Sequence, residues 1–177
     1  MKVICISGKA QHGKDTVADM IKDELQSKGK RVLIAHYAGL LKYIAHTFFD
    51  WDGKKDEQGR TILQYIGTDV IRKKMPDMWV GFIINILTLF PNEWDYILIP
   101  DTRFPNEIEA LRQAELDAIL MRIIRGGYDN GLTEEQSNHP SEIALDGYNY
   151  DYIMNNKSSL QDLRNEVNSF VEEVLSV

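Results

Sequence analysis

Short apolar runs recur along the chain and predict five buried strands. Each run holds several consecutive aliphatic or aromatic residues, and most are bounded by glycine, proline or charged residues, which suits a strand covered on both faces. The predicted strands are residues 2–7, 31–38, 95–100, 118–125 and 150–154.

Apolar residues three and four apart occupy most of the remaining chain and predict helices. The predicted helices are residues 13–28, 39–49, 61–75, 77–90, 106–115, 141–146 and 159–175. Gly67 weakens the third prediction, and Asp77 is expected to cap the fourth helix. Residues 50–60 are predicted to form a polar loop, and residues 126–140, which contain three glycines, a mobile loop.

The alternation of strands and helices predicts the fold class. Parallel strands need crossover connections, which are usually helical, and such strands become buried on both faces. We therefore predict a three-layer α/β/α fold with a central, mostly parallel five-stranded sheet. The length of 177 residues suits a single domain.

Composition narrows the functional classes. The formal net charge of −7 disfavours binding to a nucleic acid polymer, which needs a basic field. The single cysteine, Cys5, excludes an internal disulfide and is predicted to be a small core residue. The longest apolar stretch, residues 79–90, is shorter than the roughly 20 residues of a membrane helix. With no signal-peptide pattern, a cytoplasmic protein without membrane partners is expected.

Residues 8–16 carry the strongest motif, Gly-Lys-Ala-Gln-His-Gly-Lys-Asp-Thr, between a predicted strand and a predicted helix. Two glycines separated by four residues and followed by lysine are typical of a loop whose amides bind phosphates. Lys14 is expected to reach the β- and γ-phosphates. Asp15 stands where Ser or Thr usually touches Mg²⁺, with Thr16 next, so Asp15 is expected to face the metal's water shell or a cation. A glycine-rich turn that binds nothing is the alternative.

A second motif, Asp101-Thr102-Arg103, follows the strand at residues 95–100. Ligands of open parallel sheets bind outside the carboxyl ends of the strands, where Lys14 also emerges. Asp101 is predicted to bind Mg²⁺ through water or to orient Arg103, and Arg103 to clamp an acceptor phosphate. Alternatively, Asp101 caps the next helix and Arg103 is its surface partner.

Arg122 and Arg125 flank two isoleucines at the end of a predicted strand. Strand alternation places the two arginines on different faces. Arg125 lies at the mouth of the glycine-rich loop, where its charge suits a lid over the transferring phosphates. A solvated strand end is the alternative.

A polar helical face is predicted from Gln64, Thr68 and Arg72, which are four residues apart, with Arg60 and Asp69 nearby. Such a face suits a nucleotide base and phosphate, and a solvated surface is the alternative.

Two further signals are interpreted as structural. Trp79 is predicted to be a core residue rather than a platform for a base. In His139-Pro140-Ser141-Glu142, the histidine is expected to be structural or solvated, and Ser141 or a neighbour to cap a short helix. The sequence shows neither a metal-ligand cluster nor a Gly-x-Ser-x-Gly elbow.

In this order, the motifs resemble the bacteriophage-type deoxynucleoside monophosphate kinase family, within the P-loop nucleoside monophosphate kinase superfamily. The matching segments are residues 7–16, 41–42, 63–69 with Arg72 and Trp79, 101–107, 122–125 and 139–142. Gly39-Leu40 stands where the family pattern has Asp-Pro. The Gly-Lys-Asp and Asp-Thr-Arg motifs are also similar, more distantly, to phosphomevalonate kinase.

The resemblance implies that residues 1–177 form one P-loop kinase domain, with a helical acceptor-binding insertion at about residues 39–92 and a lid loop at about 126–141. It implies transfer of the ATP γ-phosphoryl group to the 5′-phosphate of a deoxynucleoside monophosphate (dNMP), with Mg²⁺. The implied catalytic residues are Lys14, Asp101, Arg103 and Arg125. The implied ATP phosphate site is Gly8, Lys9, Ala10, Gln11, His12, Gly13, Lys14, Asp15 and Thr16. The implied acceptor site is Lys42, Gln64, Thr68, Asp69, Arg72, Arg103 and Glu142, and the residues near the metal are Asp15, Thr16 and Asp101.

Other functions stay open. The acceptor of a P-loop kinase here is alternatively a phosphomevalonate-like small molecule or a modified base in phage DNA. A non-catalytic nucleotide-binding switch is a different class, although no Asp-x-x-Gly or Asn-Lys-x-Asp signature of a GTPase is present. The expected partners are small nucleotides. A homodimer is compatible with the sequence, as is the host cytoplasm for a phage-encoded protein.

Overall fold

The central sheet of the protein is parallel throughout the part of the chain that the structure describes. This computed structural model describes residues 1–54, 56–156 and 159–177. Its strands are β1 (Lys2–Ser7), β2 (Val32–Ile34), β3 (Tyr96–Ile99), β4 (Asp117–Ile124) and β5 (Tyr152–Asn155). The strand order is β2-β3-β1-β4-β5, and every neighbouring pair is parallel. The predicted five-stranded sheet is therefore confirmed.

Helices connect consecutive strands and cover the sheet. They are α1 (Lys14–Ser27), α2 (Ala38–Phe48), α3 (Glu57–Gln64), α4 (Met78–Leu89), α5 (Pro105–Gln113), α6 (Glu134–Ser137), α7 (Pro140–Ile143) and α8 (Leu160–Ser169). Two π-helical segments, Tyr65–Arg72 and Phe170–Val174, extend α3 and α8. Among the described residues, no helix is long and apolar enough to cross a membrane.

Strand β1 is buried on both faces and separates two cores. Ile4 and Ile6 pack with α1, α8 and Phe170, whereas Val3 and Cys5 pack with α4 and α5. This alternation explains the continuous apolar run and confirms the three-layer architecture. Cys5 is fully buried, as predicted for a core residue, and burial raises the pKa of its thiol to about 12.

Both segments predicted to be loops contain a short helix, so those predictions are partly wrong. Helix α3 begins at Glu57, and the Asp56 carboxylate caps it by accepting from the Gly59 amide. Helix α6 begins after Thr133, whose hydroxyl accepts from the Gln136 amide. In each case a capping side chain and a polar first turn form the helix start without an apolar stripe, which hydrophobic periodicity does not detect.

Gly67 does not interrupt its helix. It lies in the π-helical segment Tyr65–Arg72 against α2, and a Cβ atom there would lie 2.6 Å from Leu41 Cδ2. The glycine therefore allows close packing between this segment and α2. Asp77 precedes α4, but its side chain makes no capping bond and instead accepts from Asn106 Nδ2 at 2.8 Å. The predicted capping role of Asp77 is wrong.

Candidate active site

The loop between β1 and α1 has the backbone that a phosphate-binding loop requires. Gly8 and Gly13 have φ values of 148° and 92°, which favour glycine. A Cβ atom on Gly8 would lie 2.6 Å from the carbonyl oxygen of Ile123, so only glycine allows the loop to pass β4 at this distance. Helix α1 begins at Lys14, and its N-terminal amides face the same side of the sheet as the loop.

Lys14 is buried inside this loop, with only 8% of its surface exposed. Its Nζ donates to the carbonyl oxygens of Gly8 at 2.9 Å and Lys9 at 2.8 Å. Burial, reinforced by the nearby Arg103 guanidinium, lowers the pKa of Lys14 from 10.5 to about 7, against the opposing effect of Glu142. Burial at this position therefore disfavours the charged form of the amine.

Side chains at the tip of the loop fasten it to neighbouring segments. Gln11 Nε2 donates to the Asn130 carbonyl oxygen at 2.8 Å, and Gln11 Oε1 accepts from the Tyr128 hydroxyl at 3.1 Å. The carbonyl oxygen of His12 accepts from Asn156 Nδ2 at 3.0 Å. These contacts hold the loop in place.

Lys9 also fastens the loop rather than projecting from it. Its Nζ donates to the Glu142 carbonyl oxygen at 2.7 Å and to Asp146 Oδ2 at 2.6 Å. Asp146 also accepts from Arg122, which donates to the Tyr150 hydroxyl as well. This cluster joins the loop to β4 and to the segment after α7.

Asp101 caps α2. Its Oδ1 accepts from the Tyr37 amide at 3.0 Å and its Oδ2 from the Ala38 amide at 2.9 Å. It makes no hydrogen bond to Arg103 within the described residues, so the predicted orienting role is not what the geometry shows. The alternative, a cap on the helix that follows Asp101, also fails, because the Glu107 carboxylate accepts from the amides at the start of α5.

Two buried carboxylates hold the two arginines predicted to bind the acceptor. Arg72 Nη2 donates to Glu107 Oε1 at 2.6 Å, and the Arg72 guanidinium stacks on the Phe104 ring with its Cζ 3.9 Å from the centroid. Arg103 Nη1 donates to Glu142 Oε1 at 2.6 Å. Arg72 Nε is buried without a hydrogen-bond partner among the described residues, which leaves a donor available at this site.

A cavity of about 460 Å³ brings most of the predicted site residues together. Those that line it are Ala10, Gln11, Lys14, Asp15, Lys42, Gln64, Thr68, Arg72, Asp101, Arg103 and Glu142. Within the described part of the chain, the other predicted site residues lie outside this lining: Gly8, Lys9, His12, Gly13, Thr16, Asp69 and Arg125. Arg60 also lines the cavity. Trp79 is buried, as predicted, and donates to the Gly67 carbonyl oxygen at 3.2 Å while bordering the cavity.

The two predicted site residues outside both the loop and the cavity, Arg125 and Asp69, have local partners, as does His139. Arg125 stacks on the Tyr128 ring, with its Cζ 3.8 Å from the centroid, at the start of the predicted lid. Asp69 Oδ1 lies 3.4 Å from Lys73 Nζ, and its Oδ2 lies 4.0 Å from His139 Nε2. His139 caps α7, because its Nδ1 accepts from the Ser141 amide at 3.2 Å.

The donor set of the site fits Mg²⁺ that is held mainly by phosphates and water. Asp15 is exposed and borders the cavity, and Thr16 follows it. The described residues contain no group of three or more His, Cys, Asp or Glu side chains that would hold a metal by themselves. Mg²⁺ commonly keeps several waters and uses one or two carboxylates with substrate phosphates.

Several residues that hold the site were missed by sequence reasoning. Asp146, Asn156 and Tyr128 bind the predicted residues but carry no motif of their own. Glu107 lies within the matched segment 101–107 but has no predicted role. Glu107 follows Arg103 by four residues, a spacing that indicates a helix-start contact. Asp146, Asn156 and Tyr128 lie far along the chain from Lys9, His12 and Gln11, respectively, and only the fold brings these pairs together.

The parallel sheet with a phosphate-binding loop after β1 defines the fold as that of P-loop kinases. The Mycobacterium tuberculosis APS kinase CysC in complex with AMPPNP and APS is 14% identical, with a TM-score of 0.57 over 97% of this chain and 98% of that one. Shikimate kinase from Acinetobacter baumannii in complex with shikimate is 14% identical, with a TM-score of 0.51 over 99% and 94%. At this identity the likeness shows the fold alone.

Sequence comparison assigns the chain to a narrower class than the fold does. The family model for deoxynucleotide monophosphate kinase matches residues 51–167, and the chain belongs to this family. A putative deoxynucleotide monophosphate kinase of Acanthamoeba polyphaga mimivirus is 29% identical over 64% of this chain and 61% of the relative. The deoxynucleotide monophosphate kinase of Enterobacteria phage T4 is 30% identical over 61% of this chain and 43% of the relative. The chain thus spans less than two thirds of the length of these curated relatives.

Proposed function

We propose that the protein transfers the γ-phosphoryl group of ATP to the 5′-phosphate of a dNMP, giving a deoxynucleoside diphosphate. The observation that carries the proposal is one cavity lined by Lys14 of the phosphate-binding loop and by Arg72 and Arg103. A lysine in a phosphate loop suits the donor, and two fixed arginines suit a second phosphate. The family membership supports the same assignment.

The chemistry needs positioning more than proton transfer. The acceptor phosphate is already an anion, so no strong general base is required, and catalysis rests on alignment and charge neutralisation. Lys14 neutralises donor oxygens, while Arg72 and Arg103 bring the acceptor phosphate toward them. Bound Mg²⁺ would neutralise charge on the donor phosphates, with Asp15 and Thr16 beside it.

In this proposal, different segments of the chain serve the acceptor and the donor. We assign residues 39–92 to the acceptor flap, because Lys42, Gln64, Thr68 and Arg72 line the cavity from this segment. We assign residues 126–141 to a lid, because Leu132 and Gln136 line the cavity while Gln11 binds Asn130. Arg125 stands at the base of this lid.

A substrate panel tests the proposal. The purified protein is incubated with ATP, Mg²⁺ and each common dNMP or NMP, and nucleotides are separated by chromatography. Diphosphate formed from one or more dNMPs, and lost in Lys14→Met, is the expected result. Nucleotide binding without diphosphate from any acceptor would contradict the assignment, and product from a phosphorylated non-nucleotide acceptor would redirect it.

A further inference from the structure

Glu142 connects the two halves of the proposed active site. Its Oε1 accepts from Arg103 Nη1 at 2.6 Å, and its Oε2 accepts from the Ala10 amide in the phosphate loop at 3.1 Å. Its carbonyl oxygen accepts from Lys9 Nζ at 2.7 Å. The Glu142 side chain is only 8% exposed. Glu142 therefore binds Arg103, which we assign to the acceptor phosphate, and also Lys9 and Ala10. These two consecutive residues belong to the phosphate-binding loop of residues 8–16 (the donor loop).

The charge of Glu142 argues against direct contact with a substrate phosphate. Both of its carboxylate oxygens already accept hydrogen bonds, and an unprotonated carboxylate has no proton to donate to a phosphate oxygen. A second anion at close range would be repelled. Glu142 can instead orient Arg103, because the contact fixes one end of the guanidinium and leaves the Nε side without a protein partner among the described residues.

Glu107 extends this connection into the flap. Its Oε1 accepts from Arg72, and its Oε2 accepts from the Arg103 amide at 2.6 Å. A continuous series of charge-assisted hydrogen bonds thus runs from Arg72 through Glu107 and Arg103 to Glu142 and the Ala10 amide. Such bonds are short and directional, so displacement of one member shifts its neighbours.

We propose that Glu142 is a positioning residue that couples the donor loop to the acceptor arginine, so that each substrate binds more tightly when the other is present. The proposal rests on the proposed function for the identity of the two ligands. A phosphate on Arg103 holds the guanidinium, and through Glu142 it holds the Ala10 amide in the loop. Whichever ligand binds first orders the shared connection, and the second then binds to an ordered site.

Binding measurements test this coupling without turnover. The dissociation constant of the dNMP selected by the substrate panel is measured by calorimetry, with and without saturating AMPPNP and Mg²⁺. If the panel gives no product, each of the four common dNMPs is used. We expect the wild-type protein to bind the dNMP about 5-fold or more tightly when AMPPNP is present. In Glu142→Gln, one of the two terminal oxygens becomes an NH2 group, which cannot accept from a donor, so one of the two contacts is lost and the ratio should fall to about 1.

A control and a second variant separate positioning from general damage. Glu172→Gln removes a charge from an exposed glutamate in the segment Phe170–Val174 and should keep the wild-type ratio. In an Arg103→Lys background, Glu142→Gln should cause little further loss in kcat/KM for the dNMP, because Glu142 acts through Arg103. A merely structural role would give the same loss in both backgrounds.

The outcomes are distinguishable from failure of the proposed function. An unchanged ratio in Glu142→Gln, an equal loss of kcat/KM in both backgrounds, or a wild-type ratio near 1 overturns the coupling proposal while diphosphate formation still stands. Coupled binding without diphosphate formation overturns the function and leaves the role of Glu142 intact. If neither AMPPNP nor a dNMP binds, both proposals are wrong.

Discussion

The donor loop and the acceptor flap are held by different kinds of contact. The loop is shaped by its own backbone, with glycines in the left-handed region, and its lysine binds carbonyl oxygens of the same loop. The flap meets the site through Arg72, which depends on a carboxylate from α5, a separate helix. The backbone shape of the proposed donor loop is therefore encoded locally, although distant side chains also anchor the loop. The position of Arg72 in the proposed acceptor flap depends instead on an ion pair between separate elements.

The largest effect should come from the donor side. Lys14→Met removes the amine that we propose neutralises the donor phosphates, and turnover should fall at least roughly 10²–10³-fold, as for loss of a fixed transition-state donor. Steady-state diphosphate formation measures this change. Lys22→Met, in the same helix but outside the cavity lining, is the matched control. Equal turnover in Lys14→Met and wild type would remove Lys14 from the mechanism.

Breaking the ion pair between Arg72 and Glu107 should lower the stability of the protein as well as its activity. Glu107 is 1% exposed and binds Arg72 and the amides of Arg103 and Phe104. Glu107→Ala leaves a buried guanidinium unpaired, so the free energy of unfolding should fall by about 3–5 kcal/mol. Urea denaturation measures this loss. Glu109→Ala, on the exposed side of the same helix, should change it by less than about 0.5 kcal/mol. Similar values for the two variants would mean that the pair does not hold the flap.

Binding of a polyphosphate at the donor loop should be accompanied by proton uptake at Lys14. The pKa of Lys14 is about 7, so at pH 8 this amine is mostly neutral in the free protein. A bound polyphosphate favours the charged form, and binding should take up as much as about one proton per molecule. Calorimetry in two buffers of different ionisation enthalpy counts the protons. Binding of AMPPNP to wild type without uptake would show that Lys14 is already charged.

The same shift predicts how stability depends on pH in the free protein. The folded-state pKa of Lys14 lies below its ordinary value of 10.5, so the unfolded chain binds more protons between about pH 7 and 10.5. The contribution of Lys14 to the free energy of unfolding should therefore increase as the pH rises from about 7 to about 10.5. The difference in unfolding free energy between wild type and Lys14→Met, measured across these pH values, isolates the effect.

The contrast between the two regions also explains what the sequence could predict. Most strands and the loop at residues 8–16 were predictable because continuous apolar runs and glycine spacing are local signals. The strand predicted at residues 31–38 is wrong at its end, since β2 spans only Val32–Ile34 and α2 begins at Ala38. The role of Asp101 was not, because a carboxylate at a strand end has several possible partners, and only the fold shows that the amides of Tyr37 and Ala38 are the ones it binds. Glu107 and Glu142 were matched as parts of motifs, but their pairing with Arg72 and Arg103 depends on the packing of α5 and α7 against the flap and the loop.

Secondary structure in the flap was harder to predict for a related reason. The start of α3 depends on capping by Asp56 rather than on an apolar stripe. The π-helical segment Tyr65–Arg72 changes the spacing along its surface, yet Gln64, Thr68 and Arg72 still border the cavity. A glycine within a helical pattern usually weakens a helix. Here, close packing against α2 outweighs that intrinsic preference.

The smallest predicted effect compares two glycines of the flap. Gly67→Ala would bring a Cβ atom 2.6 Å from Leu41 Cδ2, whereas a Cβ atom on Gly81, in α4, would meet nothing within 4 Å. Gly81→Ala should therefore stabilise the protein by about 0.5–1 kcal/mol, because alanine restricts the unfolded chain and favours the helix. Gly67→Ala should instead lower stability by about 1 kcal/mol, because crowding against Leu41 outweighs the gain in helix preference. Thermal unfolding measures both changes.

The Gly67→Ala and Gly81→Ala variants should also differ in their KM values for the two substrates. Leu41 lines the cavity, so its displacement by Gly67→Ala should raise the KM for the dNMP and leave the KM for ATP nearly unchanged. Gly81→Ala should change neither KM. If Gly67→Ala raised the KM for ATP as much as that for the dNMP, the flap would also support the donor loop. The division between a locally encoded donor site and a packed acceptor site would then be wrong.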